Sequence, residues 1–407
     1  MADRFFDNNA NYPISSDTIE CYDKGCKIGN VSCRTRLAEK GQLLINEFVK
    51  YLEDEFSGTV DAHKYKAIIT SGGSESNSTA IHNYVYQSVF INKMQPHFIS
   101  STVEHPSITD YLVRLEQDGV ALVSWIKPHS NGEVPIDGIV SAIRPNTVCI
   151  FLQSVNSETG CQQNLASLWN HIMHISPRIR VHVDHVQGYH KINLPIGVAD
   201  TISTSLHKIG APLGIGVLLY RKSMNMIPLI AGKQNDGMRG GTYNIGAIAA
   251  ASHVLQSFEM KPMGHYKKQF LSMLSKTYKI LYYNHANPYQ YMRESANSAV
   301  CVVYSDEKCL PHTIFMSIVI NGETICGKVV KEILFRDGYT IGTGTACSAN
   351  TEQTNAIGSM TSSAIPDELK YGFIRISFNN YIDGRALKRF AESFSTIPDV
   401  VKHIKQK

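Results

Sequence analysis

Residues 66–221 alternate short apolar runs with amphipathic stretches, and no other feature of the chain so narrows the folds open to it. The runs fall at 66–70, 97–101, 121–126, 147–154, 180–185, 201–206 and 215–221, each of strand length. Between several of them, residues 81–91, 107–117 and 165–175 space their apolar side chains at helical intervals. The alternation predicts an α/β domain, a mostly parallel sheet with helices on both faces. Ligands of such a sheet sit beyond the carboxyl ends of its strands. After Asn244-Ile245-Gly246 a run of Ala, Ile and Leu predicts one long helix over 245–285. The remainder mixes predicted strands (299–304, 313–320, 372–378) with predicted helices (326–337, 384–396), which reads as a smaller α+β domain.

Two of the runs carry chemistry to the same edge. Val181-His182-Val183-Asp184-His185-Val186-Gln187 brings a carboxylate to one strand end, and Ser205-Leu206-His207-Lys208 brings a lysine to the next. A buried acid and lysine so placed more often form a salt bridge or a substrate clamp. They also suit pyridoxal 5′-phosphate (PLP). The lysine can form a Schiff base with its aldehyde, while the acid keeps the pyridine nitrogen protonated so that the ring accepts electrons. On these two segments alone the readings stay open.

Composition narrows the partners. A net charge of +4, from 39 basic and 35 acidic residues scattered over 407 positions, does not argue for nucleic acid. No uninterrupted apolar stretch has the length of about 18 residues that a membrane span needs. The first residues, Met1-Ala2-Asp3-Arg4-Phe5-Phe6-Asp7, lack the apolar core of a signal peptide and carry acids that a transit peptide avoids. Nine cysteines without framework spacing suit reduced thiols, and the expected location is the cytoplasm. Cys21, Cys26 and Cys33 do not have zinc-ribbon spacing, so they are read as structural thiols and no metal site is expected.

Several loops could serve a ligand. Thr70-Ser71-Gly72-Gly73-Ser74-Glu75-Ser76-Asn77 follows a strand and opens a helix, where first-turn N–H groups and Ser74 can hold a phosphate. A capped turn with no ligand explains that loop equally well. Glu104-His105 ends a strand with an imidazole able to stack on a ring and move protons, although a histidine there is more often polar filling. Gly237-Met238-Arg239-Gly240-Gly241-Thr242 reads only as a tight loop. Cys347, in Thr345-Ala346-Cys347-Ser348-Ala349-Asn350, sits among small polar residues, which favours a nucleophile over a packing group. Arg375, inside Phe373-Ile374-Arg375-Ile376-Ser377, needs an anion, either a structural carboxylate or that of a substrate.

In this order the segments resemble the NifS/IscS-type cysteine desulfurases, PLP enzymes of fold type I in the class V aminotransferase superfamily. Phe6-Asp7-Asn8-Asn9-Ala10 is similar to the family's LDNNAT, Gly29-Asn30-Val31-Ser32 to GNPS, and Ser71 through Asn77 to SGATESN. Glu104-His105 is similar to EHK, Asp184 and Gln187 to those of HVDAxQ, and Ser205 through Lys208 to SGHK. Gly237 through Thr242 is similar to GxRSGT, Thr345 through Cys347 to GSAC, and Ile374 through Ser377 to IRFS. The resemblance implies a large PLP-binding α/β domain over 15–255 with a mostly parallel seven-stranded sheet. It also implies a small α+β domain from 1–14 and 256–407 that carries the cysteine loop.

It further implies roles. Lys208 would bond PLP and shuttle the Cα proton, Asp184 would pair with the pyridinium nitrogen, and Gln187 with the ring hydroxyl. His105 would stack on the ring as acid and base. Gly73, Ser74, Ser205 and His207 would hold the phosphate, with Thr242 added from the second subunit of a homodimer. Asn156 and Arg375 would bind the substrate, Ser157 would touch the cofactor, and Cys347 would take the sulfur of L-cysteine and pass it to an acceptor protein such as an iron–sulfur scaffold, or into tRNA thiolation. The alternatives are a selenocysteine lyase or another aminotransferase-type activity of the superfamily, or a catalytically weak sulfur-handling protein kept to bind a partner. Cys347 argues against a plain aminotransferase, and the retained Lys208, Asp184, His105 and Arg375 argue against a weak binder. The chain departs from the family where VNNE is Val155-Asn156-Ser157-Glu158 and where Leu206 replaces the glycine of SGHK.

Overall fold

The first of two sheets spans the α/β region that the alternation predicts. The computed structural model describes residues 2–33, 35–61, 64–344, 360 and 363–405. Fourteen strands occur among these residues. In chain order they are β1 (Phe5–Phe6), β2 (Tyr65–Thr70), β3 (His97–Ser101), β4 (Leu122–Ile126), β5 (Thr147–Gln153), β6 (Arg180–Asp184), β7 (Thr201–Ser205) and β8 (Gly216–Arg221). There follow β9 (Lys279–Tyr282), β10 (Ala299–Val303), β11 (Thr313–Ile320), β12 (Glu323–Ile325), β13 (Thr340–Thr343) and β14 (Ile374–Ser377). The first sheet has the order β2-β8-β7-β6-β5-β3-β4, in which only β8 runs antiparallel to its neighbours. The second has the order β1-β13-β14-β11-β10-β9, with β12 added beside β11.

Helices cover both sheets: α1 (Ser16–Cys26), α2 (Arg36–Phe56), α3 (Gly73–Tyr86), α4 (Pro106–Gln117), α5 (Ile136–Ser141), α6 (Leu165–Ile175) and α7 (Ile245–Ser257) around the first, with later helices around the second. The seven predicted strands are all present, with ends shifted by one residue at most. The helix read as 81–91 begins earlier, at Gly73, because its first two turns are polar and face the strand ends. The single helix expected over 245–285 is a correction. It stops at Ser257, and Phe258 turns extended with ψ 123°. Pro262 lacks the amide a continuing helix needs and holds the residue before it out of helical geometry. A second helix, Gly264–Leu274, follows, and then β9.

Apolar packing does not stop at the boundary between the sheets. One core runs from Phe48 and Leu52 of α2 through Val183 and Leu219 to Val302 and Phe315 of the second sheet and to Phe373 just before β14. α2 buries Ala38, Gly41, Ile45, Phe48, Leu52 and Phe56 at helical spacing. The N-terminal segment belongs to the second sheet: Phe5 and Phe6 pair in parallel with Thr340 and Ile341, and Asp7 bridges to Ser377.

α1 and α7 approach so closely that glycine is required on both. A Cβ on Gly25 would lie 2.7 Å from the Ile245 carbonyl oxygen and 2.8 Å from the Ala249 Cβ, and one on Gly246 would lie 2.5 Å from Cys26 Sγ. Gly25→Leu is expected to cost about 1–3 kcal/mol of stability through overpacking, with the added volume forcing the helices apart. Chemical denaturation of the variant beside the parent measures it.

Candidate active site

Because β3, β5, β6 and β7 are parallel, their carboxyl ends lie on one edge, and the chain turns there into its polar segments. A cavity of about 300 Å³ opens on that edge. Its lining includes Gly73, Ser74, His105, Ser157, Asp184, Gln187, Ser205, His207, Lys208 and Arg375, residues from six separate stretches of sequence. Two of the expected residues lie elsewhere. Asn156 is 1% exposed beneath the lining, where its Oδ1 accepts the amides of Glu158 (2.9 Å) and Thr159 (2.8 Å) and braces the turn. Thr242 is exposed and does not line the cavity of its own chain. Cys347 lies outside the described residues. The described flanks of its segment are held at separate points: the Met360 amide donates to Glu158 Oε2 at 2.6 Å, and Gly344 donates to the Phe373 carbonyl at 3.1 Å.

Asp184 ends β6 and is oriented by two donors. Oδ1 accepts the Val186 amide at 3.0 Å, and Oδ2 accepts Asn77 Nδ2 at 2.9 Å. The same Asn77 nitrogen donates to Ser107 Oγ at 2.9 Å, and that hydroxyl meets His105 Nδ1 at 2.8 Å. His105 Nδ1 also accepts the Ser107 amide, which places the ring proton on Nε2. Burial lowers the His105 pKa, and the nearby Asp184 and Lys208 charges pull it in opposite directions. The neutral imidazole that results can exchange protons at neutral pH.

Behind Asp184 runs a chain of polar groups that the sequence reading did not single out. Asn77 Oδ1 accepts His182 Nε2 at 3.0 Å, His182 Nδ1 meets Thr201 Oγ1 at 2.8 Å, and Tyr84 reaches the same hydroxyl at 3.0 Å. Complete burial pushes His182 down to about 3, so the ring is neutral, with one nitrogen donating and the other accepting. The signal was available: His182 stands two residues before Asp184 in a strand and so shares its face.

Lys208 follows Ser205 in the turn after β7. Its Nζ donates to the carbonyls of Asn9 (2.6 Å) and Ala10 (2.9 Å). Burial and then the Arg375 charge lower its pKa from 10.5 to about 8, against the opposing pull of Asp7 and Asp184. Gln187 also donates to the Asn9 carbonyl, at 2.6 Å, and its Oε1 accepts Lys191 Nζ at 3.3 Å, so its amide nitrogen is turned toward the cavity. Lys191 is a second depressed lysine, lowered by burial to about 7. Leu206, where the family has glycine, points into the core with 0% exposure and fills space there.

The phosphate position is built from a helix start and two side chains. No side chain caps α3 at Gly72, which leaves its first-turn N–H groups for a ligand. A Cβ on Gly73 would lie 2.6 Å from Val186 Cγ2, so only glycine lets the turn sit this low over the strand ends. Ser205 Oγ and His207 Nδ1 are 2.9 Å apart beside it, and burial lowers His207 to about 4. Neutral donors around a helix N-terminus form an anion cradle.

Arg375 lies on β14 at the opposite wall. Nε and Nη2 donate to Asp7 Oδ1 at 3.1 and 2.6 Å, and Nη1 donates to the Ser157 carbonyl at 2.8 Å. Gly342 makes room for the pair, since a Cβ there would come 2.6 Å from Asp7 Oδ1. The anion that the guanidinium needs is therefore a structural carboxylate in this arrangement. Ser157 contributes through its carbonyl, which is why its side chain can differ from the family's asparagine without loosening Arg375.

The Aminotransferase class-V family profile matches residues 5–390. The chain belongs to that family. Among curated relatives it is 28% identical over 406 residues to a putative cysteine desulfurase NifS of Bacillus subtilis, covering 97% of this chain and 94% of that one. It is 25% identical over 410 residues to a cysteine desulfurase of Nostoc sp., covering 98% and 93%. A solved NifS-like protein superposes with a TM-score of 0.79 at 20% identity, over 97% of this chain and 99% of that one. The fold is thus the PLP-dependent fold type I, and the family's enzymes use PLP. The cavity fits that cofactor: an anion cradle, a depressed lysine and an oriented carboxylate line one space. Cys26 and Cys33 are exposed and Cys21 is partly so, and all three are free thiols. Among the described residues no cluster of His, Cys, Asp or Glu could hold a metal ion, and no helix is long and apolar enough to cross a membrane.

The lowered pKa of Lys208 has a direct readout. At pH 7 about a tenth of an amine titrating near 8 is neutral, against less than a thousandth for an ordinary lysine. Competitive acylation across pH, followed by peptide mapping, is expected to give Lys208 a midpoint near 8. Arg375→Gln removes a positive neighbour and leaves Asp7 unpaired, so the midpoint moves upward.

Proposed function

We propose that this protein is a PLP-dependent cysteine desulfurase. It takes L-cysteine, releases L-alanine, and leaves the sulfur as a persulfide on Cys347 for delivery to an acceptor protein. The observation that carries the reading is the meeting of Lys208, Asp184 and His105 with Arg375 around one cavity. Family membership and the names of its relatives support it.

PLP, when bound, supplies an electron sink that acidifies the substrate's Cα–H. The chain's own groups do the rest. The α3 N-terminus, Ser74, Ser205 and His207 hold the phosphate. Asp184, kept in place by Asn77, keeps a proton on the ring nitrogen. Lys208 takes the Cα proton, which the partly neutral amine can accept near neutral pH. Arg375 receives the substrate carboxylate with N–H groups not spent on Asp7 or Ser157. His105 manages the proton of the substrate thiol at Nε2. The Cys347 thiolate attacks the substrate sulfur, the C–S bond breaks, and the electron pair returns to the carbon skeleton, which is protonated and leaves as alanine.

The reading includes a homodimer, with Thr242 completing the phosphate site of the second subunit, and a cytoplasmic location. The exposed Leu213 (72%) and Ile230 (40%) lie in the loops on either side of β8, the second of which leads to Thr242, where a second copy would cover them. Light scattering is expected to report a dimer.

Purified protein loaded with PLP and given L-cysteine should form alanine and, with a thiol reductant, an equal amount of sulfide. Cys347→Ser is expected to retain PLP but lose at least about a hundredfold in alanine formation. Mass spectrometry of the parent should place one added sulfur on the peptide containing Cys347. Asp184→Asn should fold normally and lose a similar factor. Borohydride reduction should label Lys208 and no other lysine. Sulfur on a different cysteine, or wild-type turnover in Cys347→Ser, would overturn the assignment.

A further inference from the structure

Two cysteines outside the cavity face each other across an isolated antiparallel bridge. Cys161 lies in the turn after β5, and Cys309 in the connection between β10 and β11. The Gln162 amide donates to the Lys308 carbonyl at 3.1 Å, and the Leu310 amide to the Gly160 carbonyl at 2.8 Å. Cys161 and Cys309 therefore occupy a non-hydrogen-bonded pair position, where Cα atoms approach to about 4.5 Å and side chains come closest. A disulfide accepts Cα separations of about 4.4–6.8 Å, so the backbone already stands where a cross-link needs it.

The side chains agree with the register. Cys161 is 0% exposed and Cys309 4%, and both are free thiols. The Cys309 thiol is the strongest influence on that of Cys161, pushing it up ahead of burial. Cys309 Sγ lies 3.5 Å from Asp306 Oδ1. The other buried cysteines have no such partner: Cys149 pairs with Phe98 and Arg180, and Cys301 with Ile280 and Ile318.

We propose that Cys161 and Cys309 form a reversible disulfide that ties the turn after β5 to the second sheet behind the cavity. The oxidant is a hydroperoxide. Cys309, the more exposed thiol, attacks the O–O bond, becomes a sulfenic acid and releases water or an alcohol. Cys161 then attacks that sulfur, the S–O bond breaks and a second water leaves, so two thiols lose two electrons and the peroxide gains them. A dithiol reverses the reaction by exchange.

The link spans 309 − 161 = 148 residues of chain, so it removes a large share of the unfolded state's freedom. Neither cysteine lines the cavity. The turn of Cys161 nevertheless carries Ser157, whose carbonyl accepts from Arg375 and from Asn9 Nδ2 at 3.2 Å. The connection of Cys309 leads into Thr313, which accepts from the same Asn9 amide at 3.1 Å. Closure stiffens this joint and leaves the residues that meet the ligand unchanged. The inference rests on strand register and is independent of the proposed activity.

The test uses the PLP-loaded full chain, treated with hydrogen peroxide or diamide, alkylated and mapped without reduction. The expected product is a peptide pair two hydrogens lighter than its thiols, with fragmentation spectra placing the link between Cys161 and Cys309. Tm is expected to rise by roughly 5–10 °C and to fall back with dithiothreitol. Cys161→Ala and Cys309→Ala should each abolish both link and rise. The map of the unmutated chain decides the case even where a variant folds poorly. Cross-links confined to Cys21, Cys26 or Cys33, a pair that stays reduced while those exposed thiols oxidise, or a mapped link with no rise in Tm would each overturn the proposal.

Discussion

The Asn77 side chain is the point on which the cavity depends. One amide group joins β6 to the turn after β3: its nitrogen holds Asp184 and, through Ser107, His105, while its oxygen is held by His182. An amide that rotated would present its oxygen to the Asp184 carboxylate, which repels it. The carboxylate can only accept, so it keeps the Asn77 nitrogen forward and leaves the amide oxygen to accept from His182 Nε2. Because burial keeps His182 neutral, its Nδ1 then accepts from the Thr201 hydroxyl, and the direction of these donors follows from Asp184. A carboxylate held this way can oppose a pyridinium without reorganising as charge develops, the condition under which electrostatic stabilisation is most effective.

The other wall is assembled from the far end of the molecule. Arg375, Asp7 and Asn9 come from β14 and the N-terminal segment, and they meet residues of the first sheet through Ser157 and Lys208. The continuous core under both sheets makes that wall rigid. Its charge has a consequence for Lys208. Arg375 acts with burial to lower the amine's pKa to about 8, so the group that would bind substrate carboxylate also conditions the base that would take the substrate's proton. Carboxylate binding at Arg375 would offset that charge and make Lys208 more basic when a substrate is present.

Much of the first sheet and of its chemistry was legible in the sequence. Strand periodicity is local, so the seven runs between 66 and 221 could be placed within a residue, and Asp184 and Lys208 could be assigned to one edge once those strands were taken as parallel. Breaks were harder. Pro262 marks the end of α7, yet the apolar run on both sides of it reads as one helix. α2, with buried positions from Ala38 to Phe56, carries the same helical spacing. His182 could have been found from its place two residues before Asp184.

By itself the sequence determined the α/β alternation, the residue types at the strand ends, and the glycines of the α3 turn, because each follows from side-chain period or backbone freedom over a few residues. Only the tertiary structure decided that Asp7 is the anion of Arg375, that Asn156 braces a turn instead of lining the cavity, that Leu206 fills core, and that Cys161 stands opposite Cys309. Those contacts join residues 148 to 368 positions apart or depend on which way a single side chain points. Strand order and register set them, and local patterning carries no information about which distant strand will lie alongside.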